Sequence, residues 1–350
     1  MKQRKMPAIL DDHLLESLEA IQCNAGQQEA PKERSQAYLR LNDGHQMPML
    51  GLGTWNTQGK ELKEAVKAAI RCGYRHIDTA ANYRNESFVG QAIAECIESR
   101  LVRREDLFVT TKLWNNSHSR QSVPRALERS LEELQLSYVD LYLIHYPIGY
   151  QEGGPLSPMD AGGQVITSDV DYLETWLGME DVRGLGLARS IGVSNFNLQQ
   201  LERLHQAAGD SLPPAVNQVE CHPYLSQEAL LRYCRAHNIH LTAYSPLGSP
   251  GRLDPRLKEP ILIRDPLVVS LAKKYQRSPA HVLIKYQLER GLAVIPKAIQ
   301  AAHIESNFGA LSLKLSSEDI EKLDSLNRNH RFMKFERCLK HKHYPFEREF

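Results

Sequence analysis

Four ionisable side chains fall at the ends of three consecutive β-rich runs. GYRHIDTAANY, from Gly73 to Tyr83, starts as a strand, delivers Asp78, and opens into a loop that carries Tyr83. TTKLW ends the next run with Lys112, and LIHYP ends the one after with His145. Singly, each has an ordinary explanation: an acid can cap a helix, a lysine can be solvated, a histidine can be satisfied in a core. Together they suit the reduction of a carbonyl group. Hydride arriving at a carbonyl carbon builds negative charge on oxygen, and a positioned proton donor must quench it. Tyr83 can be that donor, although a phenol with a reference pKa of about 10 is a reluctant acid near neutrality. An ammonium at Lys112 is expected to favour the phenolate and lower that pKa, with Asp78 holding the lysine charged and in place. His145 can hydrogen-bond the carbonyl oxygen and orient it.

The elements that must position these groups form an alternating series. Tyr38–Leu41 and Met47–Leu50 flank Asn42-Asp43-Gly44, a tight hairpin signal. Beyond it, β-rich runs are predicted over Leu50–Trp55, Arg75–Thr79, Leu107–Leu113, Val139–His145, Arg189–Val193, Ala215–Val219, His240–Tyr244 and Ala293–Pro296. Helical periodicity lies between them, for example over Leu62–Arg71, Ser87–Ser99, Val123–Leu134, Leu198–Ala207 and Gln227–Ala236. Alternating β and α elements point to a parallel sheet with right-handed crossovers. Eight units over about 300 residues suit a closed (β/α)8 TIM barrel, whose chemistry gathers where the strands end. The competing doubly wound sheet lacks its fingerprint, since Gly51-Leu-Gly53 is followed by Thr54-Trp55 and no third glycine opens a helix. Residues 37–350 are expected to form the barrel, with the hairpin at its N-terminal end and a C-terminal loop shaping a substrate pocket.

The bulk numbers exclude other classes. A chain of 350 residues with 42% hydrophobic content can fill a large core. Lys plus Arg (43) against Asp plus Glu (42) leaves a charge of +1, so no net field draws nucleic acid or an anionic membrane. Apolar runs such as Leu141–Ile144 fall far short of the ~20 residues a spanning helix needs. Cys23, Cys72, Cys96, Cys221, Cys234 and Cys338 are scattered without a CxxC pair, which fits reduced thiols in a cytoplasmic protein and no metal site. Sequons at Asn85 and Asn115 read as chance matches. Hydrolysis through Cys221-His222 is disfavoured because neighbours on a strand face opposite ways. Residues 1–36 read as a flexible extension, too acidic at Asp11, Asp12, Glu16 and Glu19 for a transit peptide, although Leu14, Leu15, Leu18 and Ile21 have helical spacing. A small-molecule partner and a monomer are expected.

LGLGTW, GYRHIDTAANY, TTKLW, DLYLIHYP, IGVSNFN, NQVECHPY, AYSPLGSP, VIPKA and the terminal HKHYPFEREF occur in this order, and from about Tyr38 to Phe350 the sequence resembles the aldo-keto reductase superfamily, most closely its aldose-reductase-like members. The resemblance implies a barrel, NADPH-dependent reduction of aldehydes or ketones, and Asp78, Tyr83, Lys112 and His145 as catalytic tetrad. It assigns the nicotinamide amide to Ser194, Asn195 and Gln218 and stacks Tyr244 on the ring, which agrees with what an amide and a flat ring require. It lays Ser245, Leu247 and Ser249 along the pyrophosphate, brings Thr54 and Trp55 to the cofactor, and leaves Lys297 for the 2′-phosphate and Asn307 for the adenosine end.

This chain departs from the family's pattern after Lys297. Ala298, Gln300 and His303 stand where Ser, Thr and Arg are usual, and Ser306 replaces an adenine-binding Glu. An arginine grips phosphate with two parallel bonds and a neutral imidazole does not, so a weaker preference for NADPH, with NADH possible, is expected. Asn56 and Gly251 replace a charged latch, which implies faster cofactor exchange. Trp55, Asn82, Trp114, Tyr146, His145, Met333 and Phe335 are expected to meet substrate, with Ser157 and Asp254 making one side wider and more polar. A second possibility within the resemblance is a non-catalytic, cofactor-binding barrel acting as a structural or channel-associated subunit.

Overall fold

The computed structural model describes residues 36–209, 212–252 and 259–346; the N-terminal extension with its helical spacing, and Asp254, lie outside them. The hairpin forms from β1 (Tyr38–Arg40) and β2 (Gln46–Pro48), paired antiparallel. Gly44 supplies the positive φ of 93° that its turn requires. Leu41 and Met47 pack on Phe108, Leu141, Ala215, Val216 and Ala293, residues at the beginnings of barrel strands, so the hairpin plugs the N-terminal end.

The barrel strands are β3 (Gly51–Gly53), β4 (His76–Asp78), β5 (Phe108–Leu113), β6 (Val139–Ile144), β7 (Ala188–Ser194), β8 (Val216–Glu220), β9 (His240–Tyr244) and β10 (Ala293–Val294). Each pairs parallel with the next, and parallel bridges from Leu50 to Val294 and from Gly53 to Lys297 join first to last. The result is the expected (β/α)8 barrel. Its strands are buried on both faces yet mix polar with apolar residues, as in FVTTKL and VNQVE, and Lys112 is fully buried within one of them.

The helices are α1 (Gly59–Cys72), α2 (Glu86–Glu98), α3 (Ser122–Leu134), α4 (Tyr172–Gly184), α5 (Leu198–Ala208), α6 (Glu228–Ala236), α7 (Pro266–Tyr275), α8 (Pro279–Glu289), α9 (Ala301–Gly309) and α10 (Ser317–Asp324). In α1, Leu62, Ala65, Val66, Ala69 and Ile70 form the buried stripe, and Gly73 at φ 116° ends the helix by donating to Ala69 and Ile70. Helices α2 and α3 cross closely at Gly90, where a Cβ would run into the Leu134 carbonyl. Gly90→Ala should therefore lower unfolding stability by about 1–3 kcal/mol in a denaturant titration, against the usual gain of Gly→Ala in a helix.

Two segments depart from the strand–helix alternation. Between β6 and α4 an insertion folds back on itself through bridges from Tyr150 to Thr167 and from Met159 to Val165. After α10 the chain runs back across the strand ends, and among its described residues a short 3₁₀ turn at Glu336–Cys338 is the only regular element.

Candidate active site

Asp78 is the last residue of β4, where the ladder ends and side chains at the barrel mouth begin. Thr54 fixes its backbone, the Thr54 hydroxyl donating to the Asp78 carbonyl at 2.9 Å. Its carboxylate takes Lys112 Nζ on Oδ1 at 2.5 Å and Gln218 Nε2 on Oδ2 at 2.7 Å. The ammonium also donates to the Thr79 carbonyl at 2.8 Å and lies 3.4 Å from the Tyr83 hydroxyl, so each of its three donors has a destination. Tyr83 reaches this point because the chain after β4 makes a single 3₁₀ turn at Ala81–Tyr83, closed by Arg84 at φ 55°. Asn85 clamps that turn from below. Its Nδ2 donates to Thr54 and Thr57 carbonyls at 2.9 and 3.0 Å, and its Oδ1 accepts from Thr79 Oγ1 at 2.8 Å. Asn85 and Asn115 are both fully buried, so neither sequon presents an accessible amide.

Burial decides the electrostatics. It pushes Lys112 below the usual ammonium range, opposed by Asp78. It pushes Tyr83 well above the usual phenol range, and Asp78 pushes the same way. The lowering of Tyr83 expected from the lysine does not appear: the ammonium is engaged by the carboxylate at 2.5 Å and is farther, at 3.4 Å, from the phenol. Tyr83 thus holds its proton firmly. Burial, with Lys112 adding, holds His145 well below the usual imidazole range, so its ring is neutral. That ring stands edge-on to Trp114 and Tyr83, with centroids 5.2 and 5.6 Å away, and its buried Nδ1 makes no hydrogen bond with any described residue.

Above these groups opens a cavity of about 580 Å3 at the C-terminal ends of the strands. Its walls include Asp78, Tyr83 and His145; Thr54, Trp55, Ser194, Asn195, Gln218, Tyr244, Ser245, Leu247, Ser249 and Lys297; and Asn82, Trp114, Tyr146, Met333 and Phe335. Lys112 lies beneath the floor. Of the remaining sequence candidates, Asn307 is buried on α9 but is not part of the wall, nor is Ser157, so Ser157 does not make the pocket more polar as expected, and Asp254 lies outside the described residues. The insertion instead turns its backbone inward, and Trp114 Nε1 donates to the Leu156 carbonyl at 2.5 Å.

The side chains expected to hold an amide are already hydrogen-bonded to their surroundings. Ser194 Oγ donates to the Gln218 carbonyl at 2.8 Å, Asn195 Nδ2 to the His145 carbonyl at 2.9 Å, and Tyr244 OH to Asn195 Oδ1 at 2.8 Å. Gln218 spends Nε2 on Asp78, which leaves its Oε1 for an incoming donor. Asn56, Asn195, Ser245, Ser249 and Phe335, all in the wall, have φ between 49° and 62°, backbone strain that collects at sites of this kind. These features fit a nicotinamide dinucleotide. At the far end Ala298, Gln300 and His303 join Lys297 in the wall, and so does Glu61 from the first turn of α1, a residue whose local sequence carries no signal. Burial lowers Lys297 and the Glu61 charge counteracts it, so an acid lies within the field of this lysine. Asn56 and Gly251 also border the cavity and carry no charge.

Elsewhere in the wall Tyr146 stacks on Phe335 at 4.0 Å and 10°, and Trp114 meets both rings edge-on. Cys221 and His222 part as expected: the thiol faces Gln287 and Arg290, while His222 Nε2 faces Glu220. Among the described residues no group of His, Cys, Asp and Glu is arranged to hold a metal ion, and no helix is long and apolar enough to cross a membrane.

Residues 49–328 match the model of the Aldo/keto reductase family. The chain is 44% identical over 320 residues to aldo-keto reductase family 1 member A1-A of Danio rerio and 43% identical over 316 residues to prostaglandin F synthase 1 of Bos taurus. Each alignment covers 89% of this chain and 98% of the relative. Among solved structures, aldose reductase from Schistosoma japonicum superposes with a TM-score of 0.84 at 37% identity, over 90% of this chain and all of that one.

Proposed function

This chain belongs to the aldo/keto reductase family, and on that basis we propose that it reduces the carbonyl group of an aldehyde or ketone to the alcohol, with Tyr83 as proton donor. The observation that carries the proposal is the Lys112 ammonium, buried beneath the cavity floor 2.5 Å from Asp78 and 3.4 Å from the Tyr83 hydroxyl. A reduced nicotinamide, held by Ser194, Asn195, Gln218 and Tyr244, supplies hydride when bound. Neutral His145 orients the carbonyl oxygen toward Tyr83. As charge develops on that oxygen the phenolic proton moves to it, and the phenolate left behind is stabilised by the ammonium before solvent restores the proton. Asp78 keeps the lysine charged against its burial.

The direct test is NADPH consumption in the presence of an aromatic aldehyde such as nitrobenzaldehyde, with the alcohol formed in equal amount. Pure protein that binds NADPH yet gives no alcohol would replace this reading with that of a binding barrel.

NADPH is the preferred cofactor in this reading, by a smaller margin than an arginine fork would give. Lys297 supports it; His303, Gln300 and Glu61 oppose it. His303→Arg should tighten NADPH about tenfold while moving NADH little, because only the former carries the 2′-phosphate. Equal shifts in two fluorescence titrations would contradict this account. A cytoplasmic location belongs to the same proposal, supported by the reduced thiols Cys96, Cys221, Cys234 and Cys338, and a monomeric state completes it.

A further inference from the structure

We propose that Glu220 is a positioning residue that clamps the C-terminal segment across the cavity and thereby sets which carbonyl compounds fit, an inference that rests on the reductase reading. Glu220 ends β8 two residues after Gln218, so both side chains point into the barrel mouth. Gln218 meets Asp78, and Glu220 meets the returning chain. Its Oε1 accepts the Phe332 N–H at 2.7 Å and its Oε2 accepts the Met333 N–H at 2.9 Å. His222 Nε2 approaches Oε1 at 3.0 Å, and Arg331 Nη1 lies 3.8 Å from Oε2.

A fully buried carboxylate is costly unless several donors compensate it, and here they converge on one acid. Burial alone would raise its carboxyl, but His222, Arg331 and the Phe332 N–H outweigh burial and hold it below the usual range. The two backbone donors belong to consecutive residues of a segment with almost no regular structure, so no ladder supplies them with acceptors. The clamp splits the segment's side chains between two sites. Phe332 is pressed into a core with Tyr224, Leu262 and Tyr286, while Met333 and Phe335 are delivered to the cavity wall. Other ties along the segment include His330 N–H to the Tyr224 carbonyl at 2.9 Å and the Phe335 stack on Tyr146, while the Glu220 carboxylate is what meets the consecutive N–H groups of Phe332 and Met333.

A wall placed in this way matters for a large substrate that fills the aromatic side of the cavity and little for one that touches only Tyr83 and His145. Glu220→Gln keeps the shape, removes the charge and turns one acceptor into a donor facing a backbone N–H. Hydrogen exchange in peptides covering residues 328–340 should quicken about tenfold, because two backbone donors lose a charged partner. KM for a bulky aromatic ketone should rise about tenfold, while kcat for a small aliphatic aldehyde and the Kd for NADPH stay within about twofold. Unchanged exchange, or an equal loss for large and small substrates, overturns the proposal. Should Glu220→Gln fail to fold, Arg331→Ala, whose side chain reaches the surface, should shift exchange and KM the same way by a smaller factor; no shift there overturns it too. Exchange is read without turnover, so a protein that reduces no carbonyl at all refutes the reductase reading and leaves the clamp to be judged on exchange alone.

Discussion

Tyr83→Phe should lower kcat by at least about 10²- to 10⁴-fold, the usual contribution of a positioned general acid, with the Kd for NADPH unchanged. The substitution removes one oxygen. That oxygen accepts a weak contact from Lys112 at 3.4 Å and makes no other hydrogen bond with a described residue, so its loss leaves the Asp78–Lys112 pair and the Asn85 clamp standing. A fall in cofactor affinity in place of turnover would refute the assigned role. The wild-type profile offers a second check. Because burial and Asp78 hold the phenol well above its ordinary value, the acid form persists through neutral pH, and kcat should not decline until pH passes about 10.

The second large effect concerns stability. Asp78 and Lys112 have side chains 2% and 0% exposed and 2.5 Å apart, so solvent does little to screen them. Lys112→Met should cost about 3–5 kcal/mol in a denaturant titration, because it leaves a buried carboxylate with Gln218 as its remaining side-chain donor. Asp78→Asn should cost a comparable amount by stranding the ammonium. The double variant, neutral at both positions, should recover most of that loss, with a coupling energy of about 3 kcal/mol or more, yet remain inactive. Simple additivity in stability, or activity restored along with it, would show that the pair is not the unit described here.

Much of this was legible in the sequence for a definite reason. In a barrel the residues that do chemistry sit where strands end, so finding the ends of β4, β5 and β6 already located Asp78, Lys112 and His145. The period of the helices exposed α1 and α3, whose apolar residues fall on one stripe. Helix α4 was not singled out; its buried Tyr172, Thr175, Trp176, Gly178 and Met179 mix sizes and polarity and give no clean stripe. Direction of burial was the other blind spot. Asn85 read as a stray sequon and is a buried clamp, and the proton affinity of Tyr83 was expected to fall because Lys112 was given credit that Asp78 absorbs. Ser157 was placed in the pocket by its position along the chain, whereas the insertion presents the Leu156 carbonyl to Trp114 and keeps Ser157 out of the wall. Glu61 and Glu220 belong to ordinary-looking local sequence. For Glu220 a usable signal existed, since alternation along β8 puts it on the face of Gln218.

The join between β3 and β10 carries a further meaning. It is held by a few bridges, including Gly53 to Lys297, and the cavity wall draws on both banks, Gly53 to Asn56 from one and Ile295 to Gln300 from the other. A ligand lying there works as a rivet between the earliest and latest barrel strands to leave the ribosome. At a hundred times its Kd it adds about 2.7 kcal/mol against unfolding. The higher the concentration of such a ligand, the harder this seam would be to unzip.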